Sequence, residues 1–252
     1  MSSPLLTSEA WTNPEVAANR ADVMTIEGTA IKTGILTLIM AVAIGVMWDQ
    51  FWNDGNPNLR GMMPWAIGAG LASLAIGVIG CFAPRYSMVL GFAMAVVEGI
   101  FLGVITMLVH TQYPGLPLLA AVFTLATLVG TLILYGTRIV RTSPAFVKGV
   151  MIATGALGLG MLVVWGLSLI GFGELYSTLR GGGPIAIGFS VLCIVLATFN
   201  LLVDFHHIEE GAKQRAPKWM EWAGALGLLV TMVWLYIEIL RLLQMLRGSS
   251  DE

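Results

Sequence analysis

Three carboxylic acids interrupt stretches of the chain that are otherwise apolar. Glu98 lies midway along one stretch, Asp204 closes another, and Glu238 lies late in the last one. An ionisable side chain at the bilayer centre costs about 2.5 to 3.5 kcal/mol on insertion scales, so each acid requires a reason. No Lys or Arg occurs at mid-membrane depth to neutralise them. This pattern favours a pathway for protons or cations over one for anions.

Each acid also has a structural interpretation. Glu98 fits a neutral carboxyl group that is hydrogen-bonded to a neighbouring carbonyl. Asp204 stands where the sequence turns polar, which fits a solvated residue at a helix end. Glu238 precedes Arg241 by three residues, a spacing that favours an ion pair on one helix face. Both interpretations stay open for all three acids.

The residues after Asp204 resemble a metal cluster in composition, with His206, His207, Glu209 and Glu210 close together. Consecutive residues on a helix point to different faces, however, and the segment lies beside a basic loop. We therefore predict no metal site there. No activated nucleophile with an adjacent base occurs at membrane depth either, so we expect neither an enzyme nor a bound cofactor.

The stretches that carry the acids are long enough to span a membrane. Hydrophobic residues make up 57% of the chain and charged residues 11%, and the mean hydropathy is +0.83. A bilayer core requires about 20 apolar residues in a helix. Seven segments approach or meet this length: Thr33–Trp48, Pro64–Phe82, Met88–Val109, Leu116–Tyr135, Gly149–Phe172, Ile185–Val203 and Trp222–Leu243. We predict an all-α membrane protein, with residues 1–30 as a cytoplasmic segment, 31–246 as a seven-helix domain and 247–252 as a short tail.

The basic residues predict how the chain is oriented, because Lys and Arg are enriched in cytoplasmic loops. With the N-terminus inside, nine fall on the inner side: Arg20, Lys32, Arg85, Arg138, Arg141, Lys148, Lys213, Arg215 and Lys218. The outer side has four: Arg60, Arg180, Arg241 and Arg247. We expect the plasma (inner) membrane of a bacterium, with a cytoplasmic N-terminus. The net charge of −2 indicates no nucleic-acid partner.

Small residues recur at spacings typical of helix packing in lipid. Gly99 and Gly103 form a Gly-x-x-x-Gly pattern in the third segment, and Gly155, Gly158 and Gly160 crowd the fifth. Such residues allow two helix backbones to approach closely. We expect both groups to lie at helix–helix contacts.

Three segments resemble motifs of the Bax inhibitor (transmembrane BAX inhibitor motif) family. Asp204 and Ile208 match the Asp-x-x-x-Ile that ends the family's sixth helix. Leu235–Leu243 is similar to the Leu-Tyr-Leu-Asp-Ile-x-Asn-Leu-Phe of its last helix, and Glu98–Gly103 to the Glu-Gly-x-x-Leu-Gly of its third. The resemblance covers about residues 25 to 246, with the same number of spans.

This resemblance implies six helices wrapped around a central seventh. It also implies a pH-sensitive calcium leak in which two acids, on helices six and seven, share a proton. Two adjacent carboxylates do not both ionise cheaply, and once ionised they offer hard oxygen ligands to calcium. Asp204 and Glu238 are thereby the expected proton and cation site, with Glu98 as a further site. The expected partners are the lipid bilayer, calcium ions and protons.

The chain departs from the family pattern at three points. Glu238 stands where the family has Asp, and Arg241 where it has Asn. Asp204 and Glu238 are also 34 residues apart, roughly ten more than in the family. With a turn near residues 212–217, their depths differ by roughly 20 Å at 1.5 Å per helical residue. Glu221 matches the depth of Asp204 better and is the second-ranked partner, and His207, one turn from Asp204, is another.

Two other functions fit the same residues. A proton-coupled small-molecule transporter would use Glu98 and Asp204 as proton carriers. Such transporters often contain internal repeats with interrupted helices, and no convincing repeat is visible in this chain. The other alternative is a membrane scaffold or a modulator of a protease that transports nothing.

Overall fold

The computed structural model describes residues 23–53, 56–140 and 142–248. Over these ranges the chain forms eight α-helices: α1 Ile26–Phe51, α2 Leu59–Phe82, α3 Ser87–Gln112, α4 Leu116–Gly136, α5 Pro144–Leu169, α6 Gly173–Arg180, α7 Pro184–Lys213 and α8 Met220–Gly248. Two short antiparallel strands, β1 Trp52–Asn53 and β2 Asn56–Pro57, join α1 to α2, and a 3-10 turn at Pro84–Tyr86 precedes α3. All the helices except α6 are long and apolar enough to cross a membrane, which confirms the prediction of an all-α membrane protein with seven spans.

The first helix begins seven residues before the apolar segment that predicted it. Thr25 has an extended backbone, and its side chain accepts a hydrogen bond from the Gly28 N–H, while Glu27 lies in the first turn. An N-cap and an acid at this end both stabilise the orphan N–H groups of a helix. The fifth span ends at Leu169 rather than Phe172, because the chain turns at Gly171, whose φ is +106°. Residues 1–22, most of the predicted N-terminal segment, lie outside the described ranges.

The seven spans alternate in direction, which gives the bundle two ends. We call the end at which α1 begins the basal end, and it also carries the α2–α3, α4–α5 and α7–α8 connections. The opposite, distal end carries the β-hairpin, the α3–α4 turn and α6. The position of a side chain along the bundle is given relative to these two ends.

The C-terminal helix α8 is the most enclosed of the spans. It packs directly against α1, α3, α4 and α7, and its buried side chains include Leu229 and Leu235. The remaining two spans are peripheral, because α2 packs mainly on α3, and α5 packs on α6 and α7. Four spans thus surround α8 closely and two form an outer layer.

The two groups of glycines differ in their surroundings. A Cβ on Gly99 would lie 2.6 Å from the Met40 carbonyl oxygen, and one on Gly103 would lie 2.7 Å from the Met47 Cβ. Both glycines therefore let α3 approach α1, as predicted. The prediction for the three α5 glycines was wrong, since a Cβ on any of them would meet no described atom within 4 Å. They lie on the outer helix α5.

Candidate functional site: four acids along the bundle

The structure places Glu221, Glu238, Glu98 and Asp204 in four separate environments. Glu221 lies in the first turn of α8 at the basal end, and Glu238 lies towards the distal end of the same helix. Glu98 lies midway along α3, and Asp204 lies on α7 about 14 Å from the last residue of that helix, Lys213. Their hydrogen-bond partners divide them into two classes.

Glu221 is fully buried and surrounded by donors. Lys32 of α1 forms an ion pair with its Oε2, and the Lys218 Nζ lies 3.0 Å from its Oε1. The Thr25 N–H and hydroxyl donate to the same Oε1 at 2.8 and 2.9 Å. Glu221 therefore fixes the beginning of α1 to the beginning of α8. A Cβ on Gly28 would collide with this carboxylate, so the glycine makes the contact possible.

Glu238 is 1% exposed and lies between two guanidinium groups. The Arg241 Nη2 is 2.9 Å from its Oε2, which confirms the ion pair expected from the i,i+3 spacing. The Arg180 Nη1, at the end of α6, is 3.2 Å from its Oε1. Ser190 of α7 donates to Oε2 at 3.4 Å and accepts from the Arg241 Nη2 at 2.6 Å. The sequence predicted Arg241 as a partner of Glu238 but not Arg180.

Glu98 is buried against α2. The Ser73 hydroxyl donates a hydrogen bond to its Oε1, where the sequence suggested a backbone carbonyl as the partner. Its Oε2 is buried and has no hydrogen-bond partner within the described ranges. Glu98 thus has one neutral donor and one vacant acceptor atom in the middle of a membrane-spanning helix.

Asp204 is also held by a single neutral side chain. The Thr231 hydroxyl of α8 donates to its Oδ2 at 2.7 Å and lies 3.1 Å from the Gly227 carbonyl. A Cβ on Gly227, one turn earlier on α8, would lie 3.8 Å from the other oxygen, Oδ1, which is an ordinary van der Waals distance. No Lys, Arg or His of the described chain lies within ion-pair distance of Asp204.

The structure brings Asp204 together with neither of its predicted acidic partners. The Glu238 carboxylate contacts Ser190, which precedes Asp204 by fourteen residues on α7, or about 21 Å. Glu221 precedes Thr231 by ten residues on α8, or about 15 Å. Two carboxyl groups share a proton only in hydrogen-bond contact or through one bridging water. The pair implied by the family resemblance is replaced here by Asp204 and Thr231.

The histidines after Asp204 belong to a separate polar group at the basal end. His207 is exposed, and its ring centroid lies 6.1 Å from that of His206. The His206 Nδ1 is 3.0 Å from the Thr142 hydroxyl oxygen. Glu209 forms an ion pair with Lys213 at 2.6 Å and accepts a hydrogen bond from the Tyr135 hydroxyl. These partners account for the polar residues without placing His207 against Asp204.

Sequence reasoning found the acids and the Glu238–Arg241 pair but missed the other groups that hold the acids. Lys32 looked like a cation at the end of the first span, and Arg180 lies in a short loop helix. Thr231 is one of several threonines in apolar segments and carries no charge to distinguish it. The sequence signal that could have identified Thr231 as a partner of Asp204 is its position on α8, one turn after Gly227.

The chain was compared with known proteins. A family model described as Bax inhibitor 1 like matches residues 3–248, nearly the whole chain. No curated protein and no solved structure matches it. The match agrees with the seven-span architecture and with the motifs around Glu98, Asp204 and Glu238. The chain belongs to the Bax inhibitor 1 like family.

Proposed function

We propose that this protein is a proton-modulated cation leak, that calcium is the ion, and that Asp204 is the site where protons and the cation compete. The observation that carries the proposal is the environment of Asp204: a carboxylate inside a seven-span bundle, held by one hydroxyl group and by no described cation. Family membership supports the same function, since the family pattern places an acid of this role at the end of the sixth span.

The geometry of Asp204 suits exchange better than that of the other acids on the α7–α8 side. Thr231 donates to Oδ2, and no side chain of the described residues donates to Oδ1. A carboxylate oxygen is a ligand that calcium prefers, and a proton competes for the same atom. Glu221 and Glu238 each have two cationic partners, so their charges are already compensated.

A single acid also suits a leak in preference to a storage site. Calcium affinity rises with the number of charged ligands and with the rigidity of the site. Asp204 supplies one charge and Thr231 one hydroxyl oxygen, which predicts weak binding and rapid release. Glu98 is a second proton site in this proposal, because its Oε2 is buried without a described donor between α2 and α3.

The proposal includes an orientation, with the basal end in the cytoplasm. The described basal cations are Lys32, Arg85, Arg138, Lys148, Lys213, Arg215 and Lys218, and the distal ones are Arg60, Arg180, Arg241 and Arg247. Arg20 and Arg141 lie outside the described ranges. The excess of basal cations supports a cytoplasmic basal end in a bacterial plasma membrane.

Cysteine labelling in intact cells tests this orientation. In a variant without the native Cys81 and Cys193, an impermeant thiol reagent is expected to label Arg60→Cys and not Lys218→Cys. Permeabilised cells are the control, in which both positions should react. If Lys218→Cys alone were labelled in intact cells, the basal end would face outward, which is opposite to the proposed orientation.

Calcium flux into liposomes tests the function. The purified chain is reconstituted and calcium entry is followed at several pH values for the wild type, Asp204→Asn and the matched control Glu210→Gln on the same helix. We expect the wild type and the control to conduct with a pH-dependent rate, and Asp204→Asn to lose that dependence. Wild-type liposomes that admit no calcium at any pH would contradict the leak. Proton movement coupled to a small solute in those liposomes would favour the transporter alternative.

A further inference from the structure

A cavity of about 1090 Å³ lies between α1 and α4, with α7 and α8 behind it. Its volume is slightly above the roughly 300 to 1,000 Å³ typical of pockets for organic ligands. Leu38 lines it from α1, Leu125 from α4, Ile208 from α7 and Met232 from α8. None of the four acids lines this cavity.

The cavity opens between two helices that do not pack closely on each other. Within the described ranges, α1 packs mainly on α3 and α8, while α4 packs mainly on α7 and α8. Leu38 and Leu125 lie at its sides and are 65% and 55% exposed, so the gap between the helices faces the surrounding lipid. A molecule can therefore enter sideways from the membrane.

The two parts of the cavity differ in chemistry. Its membrane part is lined by Leu38, Ala41, Leu125 and Leu128, whereas its basal mouth contains Tyr135, Arg138, Thr142, His206, Glu209 and Lys213. The polar mouth lies where α4 and α7 end. The apolar interior matches the acyl chain of a lipid, and the polar mouth matches its headgroup.

The α1 wall is compatible with an acyl chain although three threonines line it. The Thr29, Thr33 and Thr37 hydroxyls each donate to the carbonyl four residues earlier on α1, all at 2.9 Å. Because these donors are satisfied within the helix, an apolar occupant leaves no hydrogen bond unmade.

The mouth carries an excess of positive charge. Glu209 is compensated by Lys213 at 2.6 Å and accepts from Tyr135. Arg138, two residues beyond the end of α4, is exposed and forms no ion pair with a carboxylate of the described chain. The described mouth therefore has two cations, Arg138 and Lys213, against one carboxylate, Glu209.

We propose that this cavity is a binding site for one anionic phospholipid of the surrounding bilayer. Its phosphate contacts Arg138 and Lys213, and one acyl chain lies along Leu38, Leu125 and Leu128. Basic pockets between membrane-spanning helices bind anionic headgroups in this way. The site is independent of the proposed ion conduction, because it involves none of the four acids.

Lipid retention by the full chain tests the proposal. The detergent-purified protein is mixed with phosphatidylglycerol or phosphatidylcholine, and bound lipids are counted by native mass spectrometry. We expect one phosphatidylglycerol to be retained in preference to phosphatidylcholine. The double variant Arg138→Gln/Lys213→Gln should lose that preference, with about a fivefold loss for each basic residue removed. Arg85→Gln removes a basal charge outside the cavity and should retain the lipid as the wild type does.

A second pair of variants tests the position of the acyl chain. Leu125→Trp places a larger side chain in the cavity, while Ile133→Trp lies on α4 outside the lining. Both positions are exposed, so both variants should keep the wild-type thermal midpoint, and only Leu125→Trp should lose bound phosphatidylglycerol. Equal losses in Arg85→Gln and the double variant, or an unchanged lipid count in Leu125→Trp, would overturn the proposal. Preferential retention of a free fatty acid over phosphatidylglycerol would also overturn it.

Discussion

Two kinds of partner hold the acids along α8. Glu221, in the first turn, and Glu238, ten residues before the last residue, each meet two cationic side chains. Between these positions, Asp204 of α7 meets the hydroxyl of Thr231. The most enclosed helix of the bundle therefore carries charge-compensated acids at two positions, and the segment between them adjoins an acid without a described counter-charge.

Acids with cationic partners are structural, whereas an acid that is held by a hydroxyl group alone is able to exchange a proton. A buried ion pair is strongly destabilised when one partner is removed, because the other charge stays behind in a medium of low dielectric constant. A carboxyl group bonded to one hydroxyl can gain or lose a proton without leaving such a charge on a neighbour. Conversion of each acid to its amide should consequently affect stability most at Glu221 and Glu238 and proton exchange most at Asp204.

The largest effect on stability is expected at the basal end. Glu221→Gln leaves Lys32 mostly buried without its carboxylate, and the free energy of unfolding should fall by about 3 to 5 kcal/mol. Unfolding in mixed detergent and dodecyl sulfate measures it. Glu209→Gln is the control, since its partner Lys213 is more than half exposed and the loss should stay below about 1 kcal/mol. Equal losses in the two variants would remove the special role of Glu221.

A smaller loss, about 2 kcal/mol, is expected for Glu238→Gln, because Arg180 is partly exposed and Arg241 still donates to the Ser190 hydroxyl. Arg180→Gln should be milder, since Arg241 still compensates Glu238. The same unfolding assay compares the two. A larger loss in Arg180→Gln than in Glu238→Gln would show that α6, and not the carboxylate, holds the distal end.

Near the middle of α8, the Thr231 hydroxyl should contribute more to stability than the Asp204 charge does. Thr231→Val keeps the side-chain shape and removes the donor to Asp204, which should lower the free energy of unfolding by about 1 to 2 kcal/mol. Asp204→Asn should change it by less than about 1 kcal/mol, because its amide oxygen still accepts from Thr231. A double-mutant cycle of the two positions measures their coupling, and additive effects would contradict the contact.

The smallest effect on stability is expected for Glu98→Gln. The amide has nearly the shape of the carboxyl group and still accepts a hydrogen bond from Ser73, so the change should stay below about 1 kcal/mol. The pH dependence of calcium flux should change nevertheless, because the amide exchanges no proton. Unchanged flux at every pH would make Glu98 a structural residue only.

The sequence predicted the spans well and their side-chain partners poorly, for a physical reason. Apolar length determines whether a helix can cross a bilayer, and that length is local in the chain. One partner of each paired acid is distant in the chain: Lys32 precedes Glu221 by 189 residues, and Arg180 precedes Glu238 by 58. The Glu238–Arg241 pair was predictable, because it lies within one helical turn. Lys218 is also three residues from Glu221, but it precedes the first residue of α8.

The family motif misled in one respect. It implied two acids that share a proton, and Glu238 matches the motif position, yet the 34 residues between Asp204 and Glu238 include the basal connection and most of α8. This length carries Glu238 to the distal end, where the arginines compensate it. Thr231, an uncharged residue, occupies the place beside Asp204.

Infrared difference spectroscopy tests the central claim most directly, because a protonated carboxyl group has a carbonyl stretch at a higher frequency than the stretches of its carboxylate and of the corresponding amide. The purified protein in lipid is recorded as the pH is lowered, for the wild type and for the amide variants of Asp204, Glu221 and Glu238. We predict that a protonation band of the wild type disappears in Asp204→Asn and persists in Glu221→Gln and Glu238→Gln. A band that persists in Asp204→Asn and disappears in Glu221→Gln or Glu238→Gln would contradict the account.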